Sequence, residues 1–228
     1  MKQNILTIIG AAIFAIMLFI PLSKVCIFIL FGFDVFALLI CGIATLIKRI
    51  KGNQLFWLPR FILIWCICTV SIVIATVRIL LTSENPDFPA LIFSKDTSNK
   101  NLFISILIFL ILTTITFIHI GTGQKRLKEE WEKVKERGIK EEIEFFGSLD
   151  SSFKFLSGTF NFMLFITIVI FFGRTLIDNS TFNIAMNVAS RKNIILAMEM
   201  SIIVQALISI CSFMSSGCIA VSEENKEA

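Results

Sequence analysis

The chain has 228 residues with a formal net charge of +4, and 56% of its residues are hydrophobic, including 24 Phe and no Tyr. A soluble domain of this length cannot hide that much apolar surface, because globular chains are typically about 45–50% apolar even with glycine counted. A mean hydropathy of +0.85 predicts an integral membrane protein. The basic residues flank apolar runs without interleaved aromatics, which points to lipid headgroups and topology and away from nucleic acid.

In chain order, six stretches are apolar enough to cross a bilayer, near 4–22, 25–47, 55–81, 102–121, 153–176 and 193–221, since a spanning helix needs about 20 mostly apolar residues. They are too long and too uniformly apolar for barrel strands, so the expected fold class is all-α, a polytopic helical membrane protein with about six transmembrane helices. The first run, Ile5 to Ile20, follows Lys2 as a signal peptide would. Pro21-Leu22-Ser23-Lys24 makes a poor cleavage site, however, and the run is read as a retained span.

Lysine and arginine set the orientation. Lys48, Arg49 and Lys51 share a side with Lys125, Arg126, Lys128, Lys133, Lys135, Arg137 and Lys140, and with both termini. The other side carries Lys24, Lys95, Lys100, Arg191 and Lys192. This predicts cytoplasmic N- and C-termini and an organisation of four spans in 1–121, a cytoplasmic charged helical loop at 122–150, two spans in 151–221 and a cytoplasmic tail at 222–228. Residues 82–101, with two prolines and mixed charge, are expected to form an irregular outside loop, and the Asn-rich 177–192 another.

The loop segment QKRLKEEWEKVKERGIKEEIEFF (124–146) is dense in helix formers. Lys125–Glu129 and Glu129–Lys133 stand at i,i+4 and support a helix, whereas Glu132–Glu136 opposes it. Leu127, Trp131 and Val134 make a narrow apolar stripe, and Gly138 is expected to interrupt the helix. The plainer account is a solvated helix leaving the membrane; a helix that docks a partner is the other.

Charges within spans are costly and raise functional hypotheses. Arg60 and Arg78 lie near the ends of the third span and can snorkel. Glu199 is expected at the interface. Asp34 is deeper, and pairing with a neighbouring arginine or a place on a hydrated path are the two readings. His119, the one histidine, fits an interfacial polar residue better than a proton relay. The cysteines 26, 41, 66, 68, 211 and 218 all lie in apolar runs without metal-ligand spacing and read as small buried hydrophobes. The serines of 209–216 suit close helix packing. No nucleophile, phosphate-loop or metal motif is present, so neither catalytic residues nor a metal or cofactor is expected, and the chain is not read as an enzyme.

Four stretches in order resemble the membrane part of the FHIPEP family, the export-gate proteins of bacterial flagella and type III secretion injectisomes: IMLFIPLSKVCIFILFGFDV (16–35), LPRFILIWCICTVSIVIATVRILL (58–81), FIHIGTGQKRLKE (117–129) and EFFGSLDSSFKFLSGT (144–159). In the last of these Gly147, Asp150, Lys154, Phe155 and Gly158 fall in register, and QALISICSFMSSGCIAVS is a weaker match. The resemblance implies a multi-pass protein of the bacterial inner membrane, a homo-oligomeric ring and contacts with other export-apparatus membrane proteins. It places Asp150, Lys154 and Arg78 on charged positions of the family, as candidates for proton coupling or ion pairing. The family's last two spans and its substrate-docking domain have no counterpart, and Thr159 and Thr69 stand where the family carries Asp and Arg. A threonine hydroxyl does not ionise near neutral pH, so the expectation is an export-gate component without its own proton coupling. The alternatives are a small-molecule or ion transporter built on Asp34 and Glu199, and a non-catalytic remnant of an export-gate protein.

Overall fold

The computed structural model describes Ala12 and residues 22–50, 56–83, 99–138 and 140–227. Among them there is no strand. The chain forms α1 (Lys24–Ile50), α2 (Leu58–Thr82), α3 (Asn99–Arg137), α4 (Lys140–Ser180) and α5 (Met186–Glu227). All five are long and apolar enough to cross a membrane, over Val25–Ile47, Leu58–Thr82, Asn101–Glu136, Glu142–Ser180 and Met186–Gly217. The expected span at 4–22 and most of the 82–101 loop lie outside the described residues.

The ends of the helices follow local chemistry. At α1 the Ser23 hydroxyl accepts the Cys26 N–H at 3.3 Å, an N-terminal cap. Pro59 sits in the first turn of α2, where its missing N–H costs nothing. Between α3 and α4, Gly138 adopts φ 72° and donates its N–H to the carbonyls of Val134 and Lys135, both at 3.2 Å. This is the left-handed helix stop that glycine favours, and it breaks the helix where the sequence suggested.

Direction along the bundle can be read from side-chain contacts. Ser152 of α4 donates to the Pro59 carbonyl of α2 at 2.7 Å, and Arg174 of α4 donates to the Leu80 carbonyl of α2 at 3.0 Å. Early residues meet early residues and late meet late, so α2 and α4 run parallel. Thr113 of α3 reaches Gln205 of α5 at 3.1 Å and Thr116 reaches Ser209 at 2.7 Å, so α3 and α5 are parallel too. Helices two apart in a chain that threads back and forth must share a direction in this way.

The α5 helix is the hub: 72% of its apolar window is buried, against 17% for α3 and 22% for α1. Large side chains of α1 such as Phe33, Phe36, Leu39 and Ile43 instead face outward, the expected face toward hydrocarbon. Gly123 of α3 sits where the bundle is tightest. A Cβ there would lie 2.6 Å from Phe153 and 2.8 Å from the Ser216 hydroxyl, so a glycine lets α3, α4 and α5 approach.

With 39 and 41 residues, α3 and α4 are about 60 Å long at 1.5 Å per residue, about twice a bilayer core. Their surplus forms a helical hairpin closed at Gly138, and the charged 122–150 segment lies in it. The stripe Leu127, Trp131 and Val134 is not solvated: Leu127 and Val134 are fully buried and cluster with Phe145, Phe146 and Leu149 of α4. The i,i+4 pairs expected at Lys125–Glu129 and Glu129–Lys133 do not form. Lys133 bonds Glu130 instead, because Glu130 is on the buried face beside that stripe and Glu129 is not. Residues 177–192 are also less of a loop than expected: α4 runs on to Ser180 and α5 starts at Met186. The turn between them is tied by Ile184 N–H to the Asp178 carbonyl at 3.0 Å.

Candidate functional site

Three groups of polar side chains are buried between the helices, and each has different chemistry. The first lies midway along α1 and α2. Asp34 is 6% exposed, and its carboxylate accepts the Thr69 hydroxyl at 2.9 Å. Of the two readings made for Asp34 from sequence, pairing with an arginine is not seen: no cation pairs with it among the described residues, and its partner is a neutral hydroxyl. The thiols of Cys66, Cys68 and Cys211 lie within range of its charge, and Thr159 of α4 is within hydrogen-bonding reach of Cys66. Thr159 also donates to the Phe155 carbonyl at 3.0 Å, and Thr69 and Thr159 are both buried. Thr69 and Thr159 therefore converge on the same interior, together with Asp34. Cys41, Cys66 and Cys211 are buried free thiols, Cys68 is half-buried, and Cys26 is exposed.

The second group is a seam between α3 and α5. Thr116 bonds Ser209, Thr113 donates to Gln205, and Gln205 donates to the Ser201 hydroxyl at 3.1 Å. The small side chains permit close approach, and the hydroxyls satisfy one another. Glu199, on the same helix, is 4% exposed and packs among the helices; α5 starts seven residues before the span drawn from hydropathy. His119 packs its ring against Phe213 at 6.3 Å, and its Nδ1 meets no hydrogen-bond partner.

The third group was not foreseen. Arg174 and Asp178 of α4 form an ion pair at 2.8 Å with both side chains fully buried. Arg174 also donates to the Leu80 and Ser83 carbonyls at 3.0 and 2.5 Å, which closes the end of α2, and faces the Phe182 ring at 5.4 Å. Asp178 accepts the Asn193 amide of α5 at 2.8 Å. Three helix ends are thereby clamped. The available signal was Arg and Asp at i,i+4 in the last turn of an apolar helix.

Of the other charged residues singled out, Asp150 and Lys154 are joined at 2.6 Å, with the Lys154 side chain 69% exposed and the Asp150 side chain 10%. The pair is not at a helix start, as α4 begins ten residues earlier. Arg78 and Arg60 are exposed. The structure thus brings together Asp34, Thr69 and Thr159, but leaves Asp150–Lys154 and Arg78 apart from them.

Among the described residues, five long helices, each apolar enough to cross a membrane, pack around a mainly apolar core with a few buried polar groups, as expected of a multi-pass helical membrane protein. Comparison with protein-family models, with curated proteins and with solved structures finds no match in any of the three.

Proposed function

We propose that this chain is a membrane component of a bacterial flagellar or type III protein-export gate. In this reading it spans the inner membrane six times, with the termini and the α3–α4 hairpin in the cytoplasm. One observation carries the reading. Two of the four stretches that resemble the FHIPEP family, 58–81 and 144–159, lie side by side in parallel, held by the Ser152–Pro59 bond. Parallel α2/α4 and α3/α5 fit the alternation of passes that the six-span topology needs, and the lysine-rich hairpin falls on the side where the positive-inside bias places the cytoplasm.

The departures from the family shape the role. In a family member the positions of Thr69 and Thr159 would put an arginine and a carboxylate beside Asp34. Here a hydroxyl faces Asp34 from one position and another lies close by from the second, leaving one ionisable carboxylate where proton transfer along a chain needs several groups in reach. The chain then acts as a structural gate subunit, a homo-oligomer whose neighbours are other export-apparatus membrane proteins, and does no catalysis of its own. Asp150, on the cytoplasmic mouth, is the remaining candidate for coupling. Export and assembly by an Asp150→Asn chain test this: loss of export with intact assembly assigns it a coupling role, and wild-type export removes it from the mechanism. Failure of the chain to co-purify with any export-apparatus protein from its host membrane sinks the gate assignment itself.

A second reading draws on Asp34. A buried carboxylate without a cation inside a helix bundle is the kind of group on which ion-coupled transporters are built. Solute or ion flux in vesicles carrying the purified chain, abolished by Asp34→Asn, would favour a transporter over a gate.

A further inference from the structure

At the first turn of α2 an open groove of about 800 Å³ lies against α4. Its lining includes Phe56, Arg60, Glu144, Phe145, Ser148 and Ser151. Phe56 and Phe145 meet edge to face at 5.5 Å and form an apolar wall. The Ser152–Pro59 bond fixes the two helices beside it. Arg60 and Glu144 are both exposed, and they share the groove without forming an ion pair. The candidate span of α2 begins at Leu58, which in a membrane orientation puts the groove at the boundary between hydrocarbon and water.

We infer that this groove is a binding site for a zwitterionic phospholipid headgroup that carries a primary ammonium, as in phosphatidylethanolamine. The volume suits a headgroup, since ligand clefts run from about 300 to 1,000 Å³. A guanidinium takes phosphate oxygens in fork geometry, and the hydroxyls of Ser148 and Ser151 supply further donors. Ser151 now donates to the Gly147 carbonyl at a long 3.2 Å and can turn outward. The ammonium meets the Glu144 carboxylate in a charge-assisted hydrogen bond. One cation and one anion held apart in a single groove match a headgroup with one anion and one cation. A purely anionic lipid would leave Glu144 facing negative charge, and a quaternary ammonium could not donate to it. The edge of the Phe56–Phe145 pair faces the glycerol and the first acyl carbons.

The inference rests on this end of the bundle lying at a membrane surface, but not on the export reading. The experiment is native mass spectrometry of the full chain in detergent, with phosphatidylethanolamine, phosphatidylcholine and phosphatidylglycerol supplied in equal amounts. Phosphatidylethanolamine should be retained about five- to ten-fold over the other two, the net worth of one hydrogen bond at an exposed site. Arg60→Gln should weaken all three lipids together, while Glu144→Gln should erase the preference alone. Both side chains are exposed, and unchanged melting temperatures of the two variants show that folding is intact. Equal retention of the three lipids, or a Glu144→Gln chain that keeps the preference, overturns the headgroup assignment. Displacement of the lipid by soluble phosphoethanolamine at millimolar concentration overturns the lipid as the source. A chain that stays monodisperse in buffer without detergent refutes the membrane placement instead.

Discussion

Asp34 and Asp178 are both buried carboxylates in bilayer-length helices, and their surroundings are opposite. Asp178 has a guanidinium at 2.8 Å and an amide at 2.8 Å, and its arginine goes on to hold the end of another helix. Asp34 has one threonine hydroxyl. A buried charge taken out of water needs a paired charge and further hydrogen bonds to be tolerable. The Asp178 network meets that requirement and serves architecture, whereas Asp34 is left short of partners, as functional groups in a bundle interior often are.

The largest effect should come from breaking the satisfied network. Arg174→Met leaves Asp178 buried without its cation and strips the donor from Leu80 and Ser83. Loss of one partner of a buried pair costs about 3–5 kcal/mol, so the variant should show the largest fall in melting temperature in detergent. Adding Asp178→Leu to the same chain should recover much of the loss, because an apolar pair of similar volume is often neutral. A wild-type melt for Arg174→Met would mean that the clamp does not stabilise the outer helix ends.

Next in size is overpacking at the tight crossing. Gly123→Ala pushes a methyl to within 2.6 Å of the Phe153 ring, which is itself fully buried and cannot swing clear. About 1–3 kcal/mol is expected, typical of an added carbon in a packed core. The change should loosen α3 against α4 and α5 while leaving the Arg174 clamp in place. Thermal unfolding of the double variant Gly123→Ala/Arg174→Met should therefore be additive, since distant sites seldom couple.

At Asp34 the order of the variants is the informative part. Thr69→Val removes the one hydroxyl and leaves the buried carboxylate unsatisfied, at about 1–3 kcal/mol. Asp34→Leu with Thr69→Val removes both partners and should sit closer to wild type in stability, since apolar replacement of a bonded pair is nearly neutral. If Asp34 acts in transport or gating, that stable double variant is inactive. A double variant that melts far below Thr69→Val would make Asp34 a structural residue like Asp178 and erase the contrast between them.

The contrast was half legible in the sequence. Asp34 stands alone in an apolar run, so hydropathy exposes it at once, and the spans of α1 and α2, the stop at Gly138 and the close-packing serines of α5 follow from composition and periodicity. Arg174 and Asp178 were missed because they fall where hydropathy fades. A charged residue at the edge of a span looks the same whether it meets water or folds back on a neighbouring helix end, and only the tertiary positions of Ser83 and Asn193 distinguish the two. The start of α5 was drawn too late for the same reason: it is set by the polar turn tied to Asp178, not by the apolar run. The burial of Leu127 and Val134 likewise depends on α4 doubling back over α3, which the stripe alone does not require.

The smallest effect expected is at the ion pair most visible in the sequence. Lys154 reaches Asp150 at 2.6 Å, but its side chain is 69% exposed, so water competes for the ammonium and the pair is worth about as much as other exposed i,i+4 pairs, about 0.3–0.5 kcal/mol. Lys154→Ala should shift the melt barely at all, and raised salt should leave even less of the difference, because exposed pairs are screened. Asp150 itself is mostly buried, so the same substitution bares a carboxylate on a helix face that otherwise packs inward. If Lys154→Ala keeps the fold but changes export, then the lysine serves function and not the placement of α4. A stability loss well above 1 kcal/mol would put the pair in the same structural class as Arg174–Asp178 and sharpen the contrast with Asp34.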